Sequence, residues 1–493
     1  MVNQIHIYRK IVRNGVEIKI KRKTYSIKYR QSIWNKFPKS LHKVFADSLT
    51  YIGTWHLPLV EENSSIVYHS SHPLIEPVFF KILLYSIPMS VFEDNTVKTS
   101  DIIKKFYNIN FQTKFKGLNF SYSGKKAKKK LKENAILLFS FGKESLLTYG
   151  LLEELGINIT PIFIKEPQSS FENAHKRKLA KNFYKKIGKE IEFFPLSIGK
   201  IRQEVNLTWG WDIILSQYGF ILLPFYFYNE AKYLFFGNEQ SCNFSIKDKE
   251  DYLINPVYEQ SVSAMQLLQD IPKLFFIETH IGSLVEPIHE IFATYILHNR
   301  YPDIGHFQMS CFSETKEAKK KRWCTVCEKC ARIYIFLKAL GIAPEKVGFY
   351  DNDMLSLKKE NFYTIFDKCS DSAYGGSGLG KDEQLLAFYL AYKRGVRGDL
   401  IEKFKTIYLK DVEERLDKLI NEFFGINSSL SLPSSLRKKV LKIFKKEREQ
   451  ALIYVSKVIK ASNIQNNNHP KKNLNGYQNI KNYKNSISIT QVI

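Results

Sequence analysis

The run Ala135-Ile136-Leu137-Leu138-Phe139-Ser140-Phe141-Gly142-Lys143-Glu144-Ser145 sets the architecture of this chain. Its five leading apolar residues suit a strand buried in a parallel sheet. Ser145–Leu155 then carries helical spacing and stops at Gly156. Ser140–Ser145 is therefore a strand-to-helix turn, which aims backbone N–H groups and the positive end of a helix at any anion bound there. Gly142 lets the backbone approach closely. Lys143, read as an exposed loop lysine, adds a point charge, and Ser140 and Ser145 add hydroxyl donors. A pyrophosphate group needs those features; an ordinary βα turn is the plainer alternative.

The alternation continues downstream. Ile159–Ile164 reads as a strand, His175–Ile187 as a polar-faced helix and Glu192–Leu196 as a strand. Ile213–Lys232 reads as one apolar helix and Tyr233–Phe236 as a strand ending at Gly237. Strands alternating with helices predict an α/β fold with a parallel sheet over residues 134–349. Residues 1–124 read as an α+β region, with β-like runs at Val16–Ile20 and Tyr25–Tyr29. Residues 125–133 form a Lys-rich, solvated connector. Residues 350–461 read as mainly helical, and the Asn/Lys-rich residues 462–493 as a disordered tail.

Cys311, Cys324, Cys327 and Cys330 form a C-x12-C-x2-C-x2-C arrangement within twenty residues. The two short steps put three thiols on one turn, and the long loop returns a fourth to complete a tetrahedron. An all-thiolate set disfavours magnesium and calcium, so Zn2+ is the expected metal, with an iron–sulfur cluster as the alternative. Four protein sulfurs leave no open position, which makes the site structural.

The net charge of +25 is uneven. Residues 1–45 hold 12 Lys/Arg against one acid and residues 435–493 hold 13 against two, which leaves +3 for the middle. A basic chain invites nucleic acid as a partner. Here the excess lies at the termini, away from the motifs, and the richness in Lys, Asn and Ile reads as compositional bias, so that partner is not favoured. Met1–Lys10 is polar, not a secretory signal. The longest uncharged run, Ile213–Asn229, contains Pro224 and is short for a bilayer span, so a buried helix is expected and no membrane partner. Six cysteines, four of them assigned to metal, fit a reducing, cytoplasmic setting. The oligomeric state is left open.

Ser140–Ser145 resembles the phosphate loop of the PP-loop ATP pyrophosphatases, whose usual motif is S-G-G-K-D-S. Phe141 replaces a Gly, which narrows the loop's freedom, and Glu144 replaces the Asp, which moves the carboxylate by one methylene. A PP-loop followed by a C-terminal S-C…C-x2-C-x2-C site also resembles the 7-cyano-7-deazaguanine synthases, whose Pro-Leu-Ile-like segment falls at Val285–Glu290. Closer still is a resemblance to the ATP-dependent epimerases of UDP-N-acetylmuramoyl-L-alanyl-L-glutamate. It is carried by Phe236–Phe244, Asn255, Glu259-Gln260-Ser261, Ser310-Cys311, Arg322-Trp323-Cys324 with Cys327 and Lys329-Cys330-Ala331, and the helical stretch Asp382–Lys393. It covers roughly residues 134–395. The N-terminal region matches weakly, and Asn206–Asp212 departs, with bulky Trp209 and Trp211.

The resemblance implies an adenine nucleotide α-hydrolase-like core that uses ATP and Mg2+. Ser140, Phe141, Gly142, Lys143, Ser145, Gly237 and Asn238 would bind the nucleotide, and Lys143, Glu144 and Glu239 would be catalytic. Asn238 and Glu239 also follow a strand whose carboxyl end lies at the mouth of an open α/β sheet. The implied reaction adenylates a carboxylate-bearing small molecule, a UDP-linked peptide precursor in the epimerase case, with release of AMP and pyrophosphate. The alternatives are deazaguanine-type amide or nitrile formation and a degenerate nucleotide-binding module.

Other polar residues carry weaker signals. Asn243 and Asn255 suit substrate amides or ordinary loop bonds. His289 favours a structural role over catalysis, Cys242 is not assigned as a nucleophile, and Arg322 and Trp323 are expected to pack the zinc loop. Gly375–Lys381 has P-loop spacing, but Asp382 stands where a Ser/Thr is required and no apolar strand precedes it. A flexible loop that caps the next helix is expected there.

Overall fold

A computed structural model describes residues 3–60, 64–93, 96–117, 130–205, 213–350, 353–366 and 373–466. Lys125–Lys129, the loop Asn206–Asp212 and the chain beyond Asn466 lie outside the described residues.

The N-terminal region opens with a meander, β1 (Asn3–Val12), β2 (Gly15–Ile20) and β3 (Lys23–Lys28). Alternation builds its buried face: Val16, Ile18 and Ile20 point inward from β2, and Tyr25 and Ile27 from β3. β4 (Ser64–His69) and β5 (Lys114–Phe115) extend the sheet in the order β3-β2-β1-β4-β5. The first three strands are antiparallel, whereas β4 is parallel to both β1 and β5. Three longer helices, α1 (His42–Thr54), α2 (Glu76–Glu93) and α3 (Thr99–Gln112), complete this region.

The second sheet is all parallel and has the order β12-β9-β6-β7-β8. Its strands are β6 (Lys132–Leu138), β7 (Asn158–Lys165), β8 (Glu192–Pro195), β9 (Ala231–Phe236) and β12 (His280–Ser283). The intervening β10 (Ile246–Lys247) and β11 (Leu253–Ile254) form a separate small hairpin. From β6 the chain runs through α4 (Lys143–Glu154), β7 and α5 (Ser170–Ile187) to β8. It then returns to the other side of β6 to lay down β9 and β12. Strand order thus reverses between β6 and β9, and in open α/β sheets ligands bind beyond the carboxyl ends of the strands at such a switch point.

The expected helix Ile213–Lys232 is instead two helices and the start of a strand. α6 (Ile214–Ile221) ends at Leu222, α7 (Leu223–Asn229) carries Pro224 in its first turn, and β9 begins at Ala231. Proline lacks an N–H and tolerates only a helix's first turn, which explains the break.

Both faces of the parallel sheet are covered, by different parts of the chain. Ala135 and Leu137 of β6, and Tyr233 and Phe235 of β9, join the core built with the C-terminal helices. Ile136 of β6, Ile162 and Ile164 of β7, and Leu234 and Phe236 of β9 join the core built with residues 5–109. Each fully buried side chain of this size contributes about 1.5–3 kcal/mol. The C-terminal side consists mainly of α8 (Glu290–Arg300), α9 (Glu328–Ala339), α10 (Gly378–Lys393), α11 (Asp399–Phe423) and α12 (Ser434–Asn466). Among the described residues, no helix is long and apolar enough to cross a membrane.

The decoy Gly375–Lys381 is more ordered than the flexible loop expected of it. Ala373–Gly376 forms a helical turn, and Ser377 caps α10 by accepting a hydrogen bond from the Gly380 N–H at 3.0 Å.

Candidate functional site

The loops after β6 and β9 meet at the switch point. Gly142 is the N-cap of α4, and the Ser145 hydroxyl donates to its carbonyl at 3.1 Å. The Ser140 and Ser145 hydroxyls lie 3.4 Å apart, and Ser140 Oγ accepts from the Gly142 N–H at 3.2 Å. Gly237 presses on this turn, since a Cβ there would stand 2.7 Å from Cβ of Glu144. Only glycine lets the two loops approach so closely.

Phe141 adopts φ of 59°, the left-handed region that favours glycine. Its ring is buried edge-on against Phe139, with centroids 4.8 Å apart. Its carbonyl accepts the Met309 N–H at 2.7 Å, which ties the turn to the segment leading into the cysteine loop.

Lys143 is not the exposed loop lysine expected from sequence. It is wholly buried and surrounded by carboxylates: it pairs with Glu144, with Glu290 at 3.1 Å and with Glu239 at 3.4 Å. Burial opposes its charge, but the three carboxylates outweigh burial and hold the ammonium above its ordinary range. Arg332 of α9 grips both oxygens of Glu290 through one guanidinium edge, Nη2 to Oε1 at 3.1 Å and Nε to Oε2 at 3.2 Å. Burial would raise the Glu290 carboxyl, yet Arg332 and Lys143 hold it well below the usual carboxylate range. Glu239 is the least compensated member. Burial, with Glu290, Glu144 and Glu383 nearby, pushes its carboxyl well above the usual range despite Lys143.

Asn238 Nδ2 and Glu239 Oε2 are buried without a hydrogen-bond partner, as are Gln240 Oε1 in the same loop and Glu166 Oε2 in the cleft wall. Asn238 lines a cleft of about 780 Å³ at the carboxyl ends of the strands, together with Ser140, Glu144, Ser145, Gly237 and Lys329. The structure therefore brings the Ser140–Ser145 turn together with Gly237, Asn238 and Glu239. It adds three that sequence reasoning missed: Glu290, Arg332 and Glu383. Glu383 accepts the Ile291 N–H at 2.8 Å and the Tyr374 hydroxyl at 2.6 Å, fastening α10 to the start of α8. A glutamate at the first position of α8 and an arginine two residues after Cys330 were the available signals, and neither has a distinctive spacing.

The flanking polar residues take structural roles. Asn243 accepts the Val262 N–H at 2.8 Å, and Asn255 donates to the Cys242 carbonyl at 2.9 Å. His289 engages Ser241 at 3.2 Å through Nδ1 and Glu422 at 3.0 Å through Nε2. Burial pushes the Cys242 thiol far above its ordinary value, unlike an activated nucleophile. Arg322 donates to the His306 carbonyl at 3.0 Å and Trp323 Nε1 to the Val347 carbonyl at 2.8 Å, anchoring the cysteine loop.

Cys311, Cys324, Cys327 and Cys330 converge, with all four Sγ atoms within 4.8 Å of one another. Cys324 Sγ lies 3.3 Å from Cys327 and 3.7 Å from Cys330. Zn–S bonds of about 2.3 Å in a tetrahedron require sulfurs roughly 3.8 Å apart, so the cluster suits a metal such as zinc. Cys327 is the N-cap of α9, and the same helix carries Cys330 and Arg332. A metal there would thus fix the helix that clamps Glu290.

No family model, curated protein or solved structure matches the chain.

Proposed function

We propose that the protein is an ATP-dependent enzyme of the PP-loop type that adenylates a substrate carboxylate and releases AMP and pyrophosphate. One observation carries this reading: Asn238 Nδ2 and Glu239 Oε2 lie buried and unpaired where the loops after β6 and β9 meet. Buried polar groups are ordinarily paired, so orphans gathered at a switch point favour a bound ligand. The Ser140 and Ser145 hydroxyls and the N–H groups opening α4 suit a departing pyrophosphate. Glu144 would hold Mg2+, which neutralises phosphate charge when bound, and that leaves Glu239 free to face the substrate.

In the proposed reaction a carboxylate oxygen attacks the α-phosphorus of ATP, the bond to pyrophosphate breaks and an acyl-adenylate forms. Adenylation removes the carboxylate's negative charge, and the neighbouring α-C–H becomes more acidic. Glu239, with its raised pKa, is suited to take that proton and return it to either face. Hydrolysis then releases AMP. UDP-N-acetylmuramoyl-L-alanyl-L-glutamate is the substrate to try first, on the strength of the resemblance. Incubation in D2O with ATP and magnesium should place one deuterium on the glutamate α-carbon, and only when ATP is present. ATP-dependent uptake of ammonia with no deuterium would instead select amide or nitrile formation.

The second reading, a nucleotide-binding module without turnover, is favoured by the carboxylates that already neutralise Lys143. ATP binding without AMP release would select it.

A further inference from the structure

We infer that the surface made by both flanks of α5 and the adjoining cysteine loop binds single-stranded nucleic acid, with Lys178, Lys181, Lys320 and Lys321 on phosphates and Tyr184 and Tyr350 against bases. The two elements adjoin, since the His175 ring hydrogen-bonds the Ala318 carbonyl at 2.8 Å. Cavities of about 490 and 800 Å³ flank α5, and Lys178 lines both. The first is also lined by Lys320, Lys321, Arg322 and Tyr350, without a single acid. In the second, Arg177, Lys178 and Lys181 face one acid, Glu190, beside Tyr184. Lys178, Lys181 and Lys320 are exposed and form no ion pair among the described residues. Tyr184 is 57% and Tyr350 78% exposed, so each presents a ring to solvent on its own side of the helix.

The middle of the chain carries a net charge near zero, which conceals this local excess. The form of the patch selects the ligand. A small phosphate compound would want its donors converging in one pocket. Here the cations are dispersed along a helix face and across to a second element, with aromatic rings interleaved. A flexible, repeating polyanion with bases to stack matches that layout. A duplex matches it poorly, because its bases offer no free ring faces.

The test is fluorescence anisotropy of the full-length protein with labelled twenty-nucleotide oligouridylate and oligothymidylate across a salt series. Each phosphate contact on a single strand contributes a log–log salt slope of about −0.7, so four lysines predict about −3. Replacing Lys178, Lys181, Lys320 and Lys321 with Ala should weaken binding at least tenfold and flatten that slope by more than half. Tyr184→Ala and Tyr350→Ala should each weaken binding about five- to tenfold and leave the slope alone. The control removes the same charge from the exposed Lys438, Lys439, Lys442 and Lys445 of α12 and should alter affinity less than twofold. Tighter binding of oligouridylate assigns RNA, and equal binding assigns single strands in general; both sustain the inference. Equal loss in the control, no binding at low salt, or equally tight binding of a duplex overturns it. Thermal unfolding of each variant checks that the fold survives.

Discussion

Phe141 stores strain in its backbone and stability in its ring. A side chain held in the left-handed region costs about 1–2 kcal/mol, whereas emptying a buried phenylalanine site costs about 3–5 kcal/mol. The second term is larger, so Phe141→Gly should lower stability by about 2–3 kcal/mol, read as a lower urea midpoint; a rise would mean that the strain dominates. Lys143→Ala should be severe, about 3–5 kcal/mol, because it leaves three buried carboxylates without their shared cation. Glu239→Gln in that background should recover part of the loss. The same glutamate imposes a pH dependence. Its folded pKa is raised, so its contribution is full below the unfolded value of about 4.5 and is lost as pH rises through the folded value. Glu239→Gln should therefore flatten the decline of the urea midpoint above about pH 4.5. His56 acts in the opposite direction: burial, aided by Arg202, lowers its pKa from 6.5 to about 3. Its neutral form is required, so stability falls by about 1.4 kcal/mol per pH unit between those values, a slope that His56→Phe should remove. The Ser140–Ser145 turn was legible from sequence because a strand, a glycine and a helix start leave a local pattern. The burial of Lys143 was not, because two of its three carboxylate partners come from positions 239 and 290, which only the tertiary fold brings close.

Among elements, α9 does the most varied work. It begins at the cysteine turn, contributes Cys330 to the thiol cluster and presents Arg332 to Glu290. Purified protein should contain one zinc per chain by elemental analysis. Cys327→Ser or chelation should destabilise the protein cooperatively, since structural zinc contributes folding free energy directly. Disruption should also reach the Ser140–Ser145 turn through the Met309–Phe141 hydrogen bond, measured as faster amide exchange at Met309 and in α4. Finding neither zinc nor iron would reject the site. The cysteine spacing was readable because ligands close in sequence announce themselves. The break between α6 and α7 was underestimated because unbroken hydrophobicity masks a proline in the first turn of a new helix.

On the scale of the whole molecule, the parallel sheet was foreseeable from the strand–helix alternation, but its two different coverings were not. A strand buried on both faces reads as one apolar run and says nothing about which distant segment lies on each side. Removing residues 1–117 should yield insoluble protein, because Ile136, Ile162, Leu234 and Phe236 would lose their cover; a soluble, cooperatively folding fragment would contradict this. The arrangement also sets a timetable for synthesis. Part of the cover for one face, residues 5–109, is translated before the strands, whereas the cover for the other is completed only near Val458, long after β12. At about 5–20 residues per second, the nascent sheet waits on the order of ten seconds or more with that flank only partly covered. Slowing translation downstream of β12 should therefore lower the yield of soluble protein, and co-expressing a ribosome-associated chaperone should restore it.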